Sequence, residues 1–237
     1  MGTRRRLLLA AAGVPLLAVV VLGVEVELAR RGENLDEVEL SWTDTGATPV
    51  VWLGDSTAYG VGVTDGDDAL ASQVAVARDE RVTNLAVSGA TVEEVLEEQV
   101  AQVAALAPRR VYVSVGANDV THLTRVGSFG ASYQELLRRL PRDVDVIVLG
   151  VPDMGAPPRL AQPLRAIAGW RGRQLDDHLR FVLDHRSGTE TYVDIAGETG
   201  PAFRRDPDRY FADDGYHPSP AGYRLWADAV LEAVAGR

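Results

Sequence analysis

Ser56 stands just past a short apolar run, in the string Gly54-Asp55-Ser56-Thr57, and far downstream the chain reads Asp213-Asp214-Gly215-Tyr216-His217-Pro218. A serine hydroxyl is a weak nucleophile until a neighbouring base takes its proton, and the base most suited to this is a histidine oriented by an acid. The spacing Asp214-x-x-His217 can supply both from one loop. Attack on an acyl carbon would then create an oxyanion, which needs rigid neutral donors. The available ones are the backbone N–H groups of Ser56 and Gly89 and the side-chain amide of Asn118, with glycine at 89 permitting close backbone approach. Asp213 beside Asp214 is not accompanied by His and carboxylate ligands at metal spacing, so neither a metal nor another cofactor is expected.

For these residues to meet, the elements between them must bring distant segments to one edge. The pattern predicts strands over 50–53, 81–87, 110–115, 144–150 and 191–195, alternating with helices over 67–78, 91–106, 128–140, 162–184 and 220–235. The segment 91–106 has apolar residues at 92, 95, 96, 100, 103 and 106, the period of an amphipathic helix. Short, continuously apolar strands alternating with helices predict an α/β fold with a central parallel sheet covered on both faces. Ligands of such sheets bind beyond the carboxyl ends of the strands. There the sequence places Gly54-Asp55-Ser56, Asn84 to Gly89, and Gly116-Ala117-Asn118-Asp119, with the Asp214–His217 loop before the last helix.

Taken together, Gly54-Asp55-Ser56, Gly89, Gly116-x-Asn118-Asp119 and Asp214-x-x-His217 resemble the four blocks of the SGNH (GDSL-type) hydrolases, in that family's order and at similar spacing, across residues 50–235. The resemblance implies a three-layer α/β/α sandwich of flavodoxin-like kind and a serine esterase. It implies Ser56 as nucleophile, His217 as base, Asp214 orienting it, and Ser56, Gly89 and Asn118 as the oxyanion hole. Thr57 stands where many members carry leucine. The substrate expected is an ester, either a small molecule or borne on a polymer, with short acyl or acetyl esters of lipids or saccharides as the class. The loop 151–158 and the segment 203–211 are expected to wall the site.

Other polar residues read as scaffold or surface. Asp55, Asn84 and Asp119 should brace loops by hydrogen bonds, and Glu93, Glu94, Glu97 and Glu98 form a solvated helix face. His122 should serve a surface or core role, and His178 and His185 should be solvated. Acids outnumber bases 34 to 24, every base being arginine, and a formal charge of −10 makes nucleic acid a poor partner. The absence of cysteine excludes disulfides and thiolate chemistry.

The N-terminus differs from the rest. Arg4-Arg5-Arg6 precedes an uncharged run from Leu7 to Val24, long enough as a helix for roughly 27 Å of a bilayer core of about 30 Å. Basic residues ahead of it favour an N-terminus inside and a body outside. Residues 1–31 are thus read as a single-pass membrane anchor, or alternatively a signal cleaved before secretion. Residues 32–48 are read as a polar tether, and 49–237 as the hydrolase domain.

Three rival functions share parts of this pattern. Gly54-Asp55-Ser56-Thr57-Ala58 is one residue from the Gly-x-Ser-x-Gly elbow of α/β-hydrolases, but there the serine follows a central strand and the acid lies far ahead of the histidine. A non-catalytic envelope glycan-binding protein of the same fold would be free to lose Ser56, Asn118 and His217. An acyltransferase acting on an envelope polymer would use the same acyl-enzyme and differ only in the acceptor.

Overall fold

The protein is described by a computed structural model that covers residue 35 and residues 46–186, 188 and 190–236. Among these, five strands form one sheet: β1 (Thr48–Gly54), β2 (Glu80–Asn84), β3 (Arg110–Ser114), β4 (Asp145–Leu149) and β5 (Thr191–Val193). Their order is β2-β1-β3-β4-β5, and every pairing is parallel. This is the flavodoxin-like order, in which chain direction across the sheet reverses between β1 and β3 and opens a crevice at their carboxyl ends.

Side-chain alternation along the strands sorts the core into two layers. Val50 and Trp52 face one way, with Tyr112 and Ile147, onto α2 (Leu70–Arg78), α8 (Ile195–Arg205) and α10 (Pro220–Ala233). Val51 and Leu53 face the other, with Val111, Val113 and Val148, onto the segment 92–106, α6 (Val126–Arg139) and α7 (Leu164–Asp184). The shorter helices are α1 (Ser56–Tyr59), α3 (Val92–Glu94), α4 (Val100–Leu106), α5 (Ala117–Thr121) and α9 (Pro207–Tyr210). The expected three-layer α/β/α sandwich is the observed one.

At the amino edge of the sheet, away from Ser56, the buried Glu80 carboxylate accepts from Arg110, from Arg78 Nε at 3.1 Å and from the Tyr112 hydroxyl at 3.0 Å. The Glu80 carboxylate thus meets two guanidinium groups and a hydroxyl, the compensation that a buried charge requires, while the buried Arg110 Nε has no partner among the described residues. This network holds β2 to β3 across β1.

Several elements differ from the sequence expectation for local reasons. The helix expected over 67–78 opens as a 3-10 turn at Gly66–Asp68 and starts afresh at Leu70. The second strand ends at Asn84, because its side-chain oxygen accepts from the Ala86 N–H at 3.0 Å and turns the chain. The amphipathic segment 91–106 contains a π-helical turn at Val95–Gln99. The helices α8 and α9 were not expected, since Gly197, Gly200 and Pro201 interrupt any periodicity there. Asp194 starts α8 by accepting from the Gly197 N–H at 2.8 Å.

His185 is exposed, as expected, whereas His178 is not simply solvated. His178 lies half-buried against Gly130 of α6, and its ring stacks on Phe181 at 5.7 Å, while His185 covers Phe181 at 4.0 Å. The segment read as tether ends inside the folded body, because β1 begins at Thr48 and Gly46 packs on the Glu80 backbone. The Leu7–Val24 run lies outside the described residues. Among the described residues, no helix is long and apolar enough to cross a membrane.

Candidate active site

Strand β1 delivers Ser56 to the crevice between β1 and β3 through a tight strand-to-helix turn. Gly54 has φ +150°, and a Cβ there would meet the Ser114 carbonyl oxygen at 2.0 Å, so only glycine lets the two strands approach this closely. The buried Gln99 side chain grips the same residue twice: Oε1 accepts from the Gly54 N–H at 2.8 Å and Nε2 donates to the Gly54 carbonyl at 2.9 Å. Asp55 then caps α1, its Oδ1 accepting from the Thr57 N–H at 2.9 Å and from the Thr57 hydroxyl at 2.8 Å. The Thr57 hydroxyl also bonds Ser114 Oγ at 3.0 Å. Thr57 therefore completes a buried polar chain from Asp55 to β3. Burial pushes the Asp55 carboxyl up to about 6, against the lowering effect of the Thr57 hydrogen bonds.

The loop between α9 and α10 supplies the other half. An antiparallel bridge between Phe211 and Pro218 closes it, and within it the Ala212 N–H donates to the His217 carbonyl at 2.8 Å. Asp214 Oδ1 accepts from the N–H groups of Tyr216 and His217 at 2.9 and 3.0 Å. Its Oδ2 lies 2.5 Å from His217 Nδ1, and His217 Nε2 lies 3.0 Å from Ser56 Oγ. Burial alone would raise the Asp214 pKa, but the hydrogen bonds from the His217 ring and from the two N–H groups outweigh it and hold the carboxyl below its ordinary value. An ionised Asp214 makes Nδ1 the protonated nitrogen and leaves Nε2 to accept from the serine hydroxyl.

Asn118 sits in the first turn of α5 and lines the same pocket as Ser56 and His217. One N–H of its amide donates to the Ala90 carbonyl at 3.1 Å, which aims the group and leaves the second N–H of Nδ2 for another acceptor. Gly89, the residue before Ala90, is exposed with φ +82° and is not among the residues lining the pocket. A Cβ there would meet open space, so among the protein's own atoms the glycine answers to backbone conformation and not to crowding. The Val87 N–H donates to the Gly54 carbonyl at 3.1 Å and ties this segment to the nucleophile turn.

The bracing residues behave as their types require. Asp119 accepts from the Val92 N–H at 3.0 Å, and Asn84 donates to the Ala58 carbonyl at 2.8 Å. Glu93, Glu94, Glu97 and Glu98 are exposed, Glu94 closing a capping box with Thr91. His122 and Asp213 are exposed. The expected walls line the pocket: Met154 and Pro157 from the loop after β4, Phe203 and Phe211 from the segment 203–211, joined by Trp226 of α10. The pocket is small, about 40 Å³. Sequence reasoning missed Gln99 and Ser114. Gln99 carried a signal, being a polar residue at helical spacing between Val95 and Val103 on an otherwise apolar stripe.

The family model of the GDSL-like lipases/acylhydrolases matches residues 52–225, which include Ser56, Gly89, Asn118, Asp214 and His217. The chain belongs to the GDSL-like lipase/acylhydrolase family. A GDSL-like esterase of Mycobacterium tuberculosis is 32% identical over 190 residues, 77% of this chain and 60% of that protein, so the chain spans less than two thirds of that relative's length. Among solved structures, a lipase/acylhydrolase from Enterococcus faecalis superposes with a TM-score of 0.63 at 22% identity, covering 80% of this chain and 96% of its own. A catalytic mutant of an acetylxylan esterase from Geobacillus stearothermophilus gives 0.59 at 18%, covering 81% and 96%. At these identities the likeness to the two structures is one of fold, and it agrees with the family's order of blocks.

The raised pKa of Asp55 gives the domain a pH signature. The folded state holds this proton up to about pH 6, whereas the unfolded chain releases it near 3.8. The folded state therefore binds more protons in between, and the contribution of Asp55 to stability, full below that window, is lost as pH rises through about 6. Asp55→Asn stays neutral and keeps an acceptor for Thr57. It should melt above the parent at pH 7.5 and lose that advantage at pH 4, read by thermal unfolding across pH. An equal difference at both pH values would show that the Asp55 carboxyl titrates alike in the folded and unfolded chain, without the raised pKa.

Proposed function

We propose that the protein is a serine esterase that cleaves short-chain carboxylic esters through an acyl-enzyme on Ser56. The observation that carries the proposal is the unbroken hydrogen-bonded line from Asp214 through His217 to Ser56 Oγ, ending in the small pocket that Asn118 also lines. In this reading His217 Nε2 takes the serine proton as Oγ attacks the ester carbonyl. The Asp214 carboxylate, fixed by its own loop, stabilises the imidazolium that results. The oxyanion accepts from the Ser56 and Gly89 N–H groups and from the free N–H of Asn118. His217 then returns the proton to the leaving alkoxide, and the alcohol departs. Water, activated by the same nitrogen, attacks the acyl-enzyme, releases the carboxylic acid and restores Ser56. Little room at the serine favours acetyl and other short acyl groups. The acetylxylan esterase among the structural neighbours is in keeping with such a substrate.

The domain arrangement is part of the same proposal. Residues 1–31, with Arg4-Arg5-Arg6 ahead of the Leu7–Val24 run, form a single-pass anchor that leaves the catalytic body outside the membrane. Full-length protein should stay with membranes through carbonate extraction and need detergent for release. A mature chain that starts after the run and is recovered from the medium would replace the anchor with a cleaved signal.

The enzyme should hydrolyse p-nitrophenyl acetate, with Ser56→Ala abolishing nearly all of the rate. Asn118→Ala removes one donor to charge that exists only in the transition state, so kcat should fall by roughly 10² to 10³ with little change in KM. Steady-state kinetics separate the two parameters. A variant in which KM alone rises would make Asn118 a substrate-binding group and overturn its place in the oxyanion hole.

A further inference from the structure

A second cleft adjoins the pocket at Ser56, and Pro152 and Asp153 line both. It lies between α7 and α8 at the carboxyl ends of β4 and β5, and at about 690 Å³ it is far larger than the pocket of about 40 Å³ at the nucleophile. Clefts of about 300–1,000 Å³ are of a size to bury a drug-sized ligand. An ester divides into two parts at its carbonyl, and these two spaces differ in size as a short acyl group differs from a bulky alcohol.

The chemistry of the cleft limits what that alcohol can be. Arginines and aspartates line it in equal number: Arg173, Arg180, Arg204 and Arg205 against Asp153, Asp176, Asp177 and Asp194. Most are locked to one another. Arg180 bonds Asp176 at 3.0 Å and Asp194 at 2.8 Å and lies over the Tyr192 ring, and Arg204 bonds Asp153 at 2.8 Å. Such paired groups are held in place and present fixed donors and acceptors side by side. A fatty chain would bury them without replacing their hydration, which is costly. A polyanion would meet no excess of positive charge. A neutral molecule bearing adjacent hydroxyls, each able to donate and accept, satisfies both kinds of group.

One exposed aromatic side chain, Trp170, stands on α7 next in sequence to a residue that lines this cleft, Gly169. It precedes Asp177 by seven residues, so that it falls on the same stripe of α7 as Asp177. It is 52% exposed, whereas Trp52 and Trp226 are buried. An exposed ring on a helix that lines a polar cleft offers the flat apolar surface against which the C–H face of a sugar ring can rest, while its hydroxyls reach the charged groups.

Resting on the reading of Ser56 as nucleophile, we propose that this cleft binds the alcohol part of the substrate and that this part is a neutral saccharide, with Trp170 as stacking platform and Arg173 as donor. Among the described residues no hydrogen bond or ion pair engages Arg173, so its guanidinium is available to sugar hydroxyls.

Full-length protein in detergent would be assayed on O-acetylated cellotetraose, on triacetin, on an acetylated galacturonate oligosaccharide and on p-nitrophenyl acetate. The acetylated cellotetraose should give the highest kcat/KM of the first three. Trp170→Ala and Arg173→Ala should each lower the ratio of its kcat/KM to that for p-nitrophenyl acetate by roughly tenfold or more, as expected for loss of a charge-assisted or stacking contact. Unchanged ratios, or preference for triacetin or the acidic oligosaccharide, would overturn the saccharide cleft while leaving the esterase intact. Failure to cleave p-nitrophenyl acetate would instead defeat the reading of Ser56. Titration of Ser56→Ala with plain cellotetraose then judges the cleft alone: a saturable change in tryptophan emission, absent in the double variant with Trp170→Phe, supports it, and no saturable change refutes it.

Discussion

The backbone of Gly54 is fixed from both sides, and the site depends on that. On one side the Asp55 N–H donates to the Ser114 carbonyl of β3 at 3.1 Å, and on the other Gln99 closes on the Gly54 amide and carbonyl together. With this peptide held, α1 must begin where it does, and Ser56 has little freedom beyond its own side-chain torsion. Gln99 closes the π-helical turn at Val95–Gln99, and such turns recur at functional sites. The polar chain through Asp55, Thr57 and Ser114 adds a second brace that a leucine at position 57 could not supply. The rigidity of the nucleophile is thus a property of β1, β3 and the helix between β2 and β3.

The histidine loop is organised independently of this turn. Asp214 spends one oxygen on its own loop and turns the other to His217, so the acid and the base are assembled before they meet Ser56. The hydrogen bond between His217 Nε2 and Ser56 Oγ joins the two halves directly. Packing supplies the rest: Phe203 meets Phe211 edge-on at 4.9 Å, and Trp226 lies nearby at 6.3 Å, so α8 and α10 fix the loop between them. The same aromatic cluster narrows the pocket at the serine. Positioning of the base and restriction of the acyl group are therefore two consequences of one packing arrangement.

Much of this was legible in the sequence because chemistry leaves sparse, typed residues at the ends of elements. Ser56, Asn118, Asp214 and His217 all follow apolar runs or precede a helix; the structure brings Ser56, Asn118 and His217 to one pocket, with Asp214 buried behind His217. Gly89 does not line the pocket, and within the protein its glycine is explained by φ and not by contact. The fold followed from alternating strands and helices, since buried parallel strands leave continuous apolar runs. What remained hidden was set by tertiary contacts. Gln99 and Ser114 act through distant backbone and hydroxyl groups, α8 is masked by its glycines and Pro201, and the cleft beside it exists only once α7 and α8 are packed. His178 reads as a surface residue in sequence because nothing in its local sequence records its packing against Gly130 and Phe181.

The central claim is that His217 makes Ser56 the reactive hydroxyl of this molecule. Incubation with a fluorophosphonate, followed by proteolysis and mass spectrometry, tests it without reference to any substrate. A single adduct on the peptide containing Ser56, formed far more slowly after His217→Ala, is the predicted result. Labelling on a different residue, or an unchanged labelling rate in the His217 variant, would contradict the account.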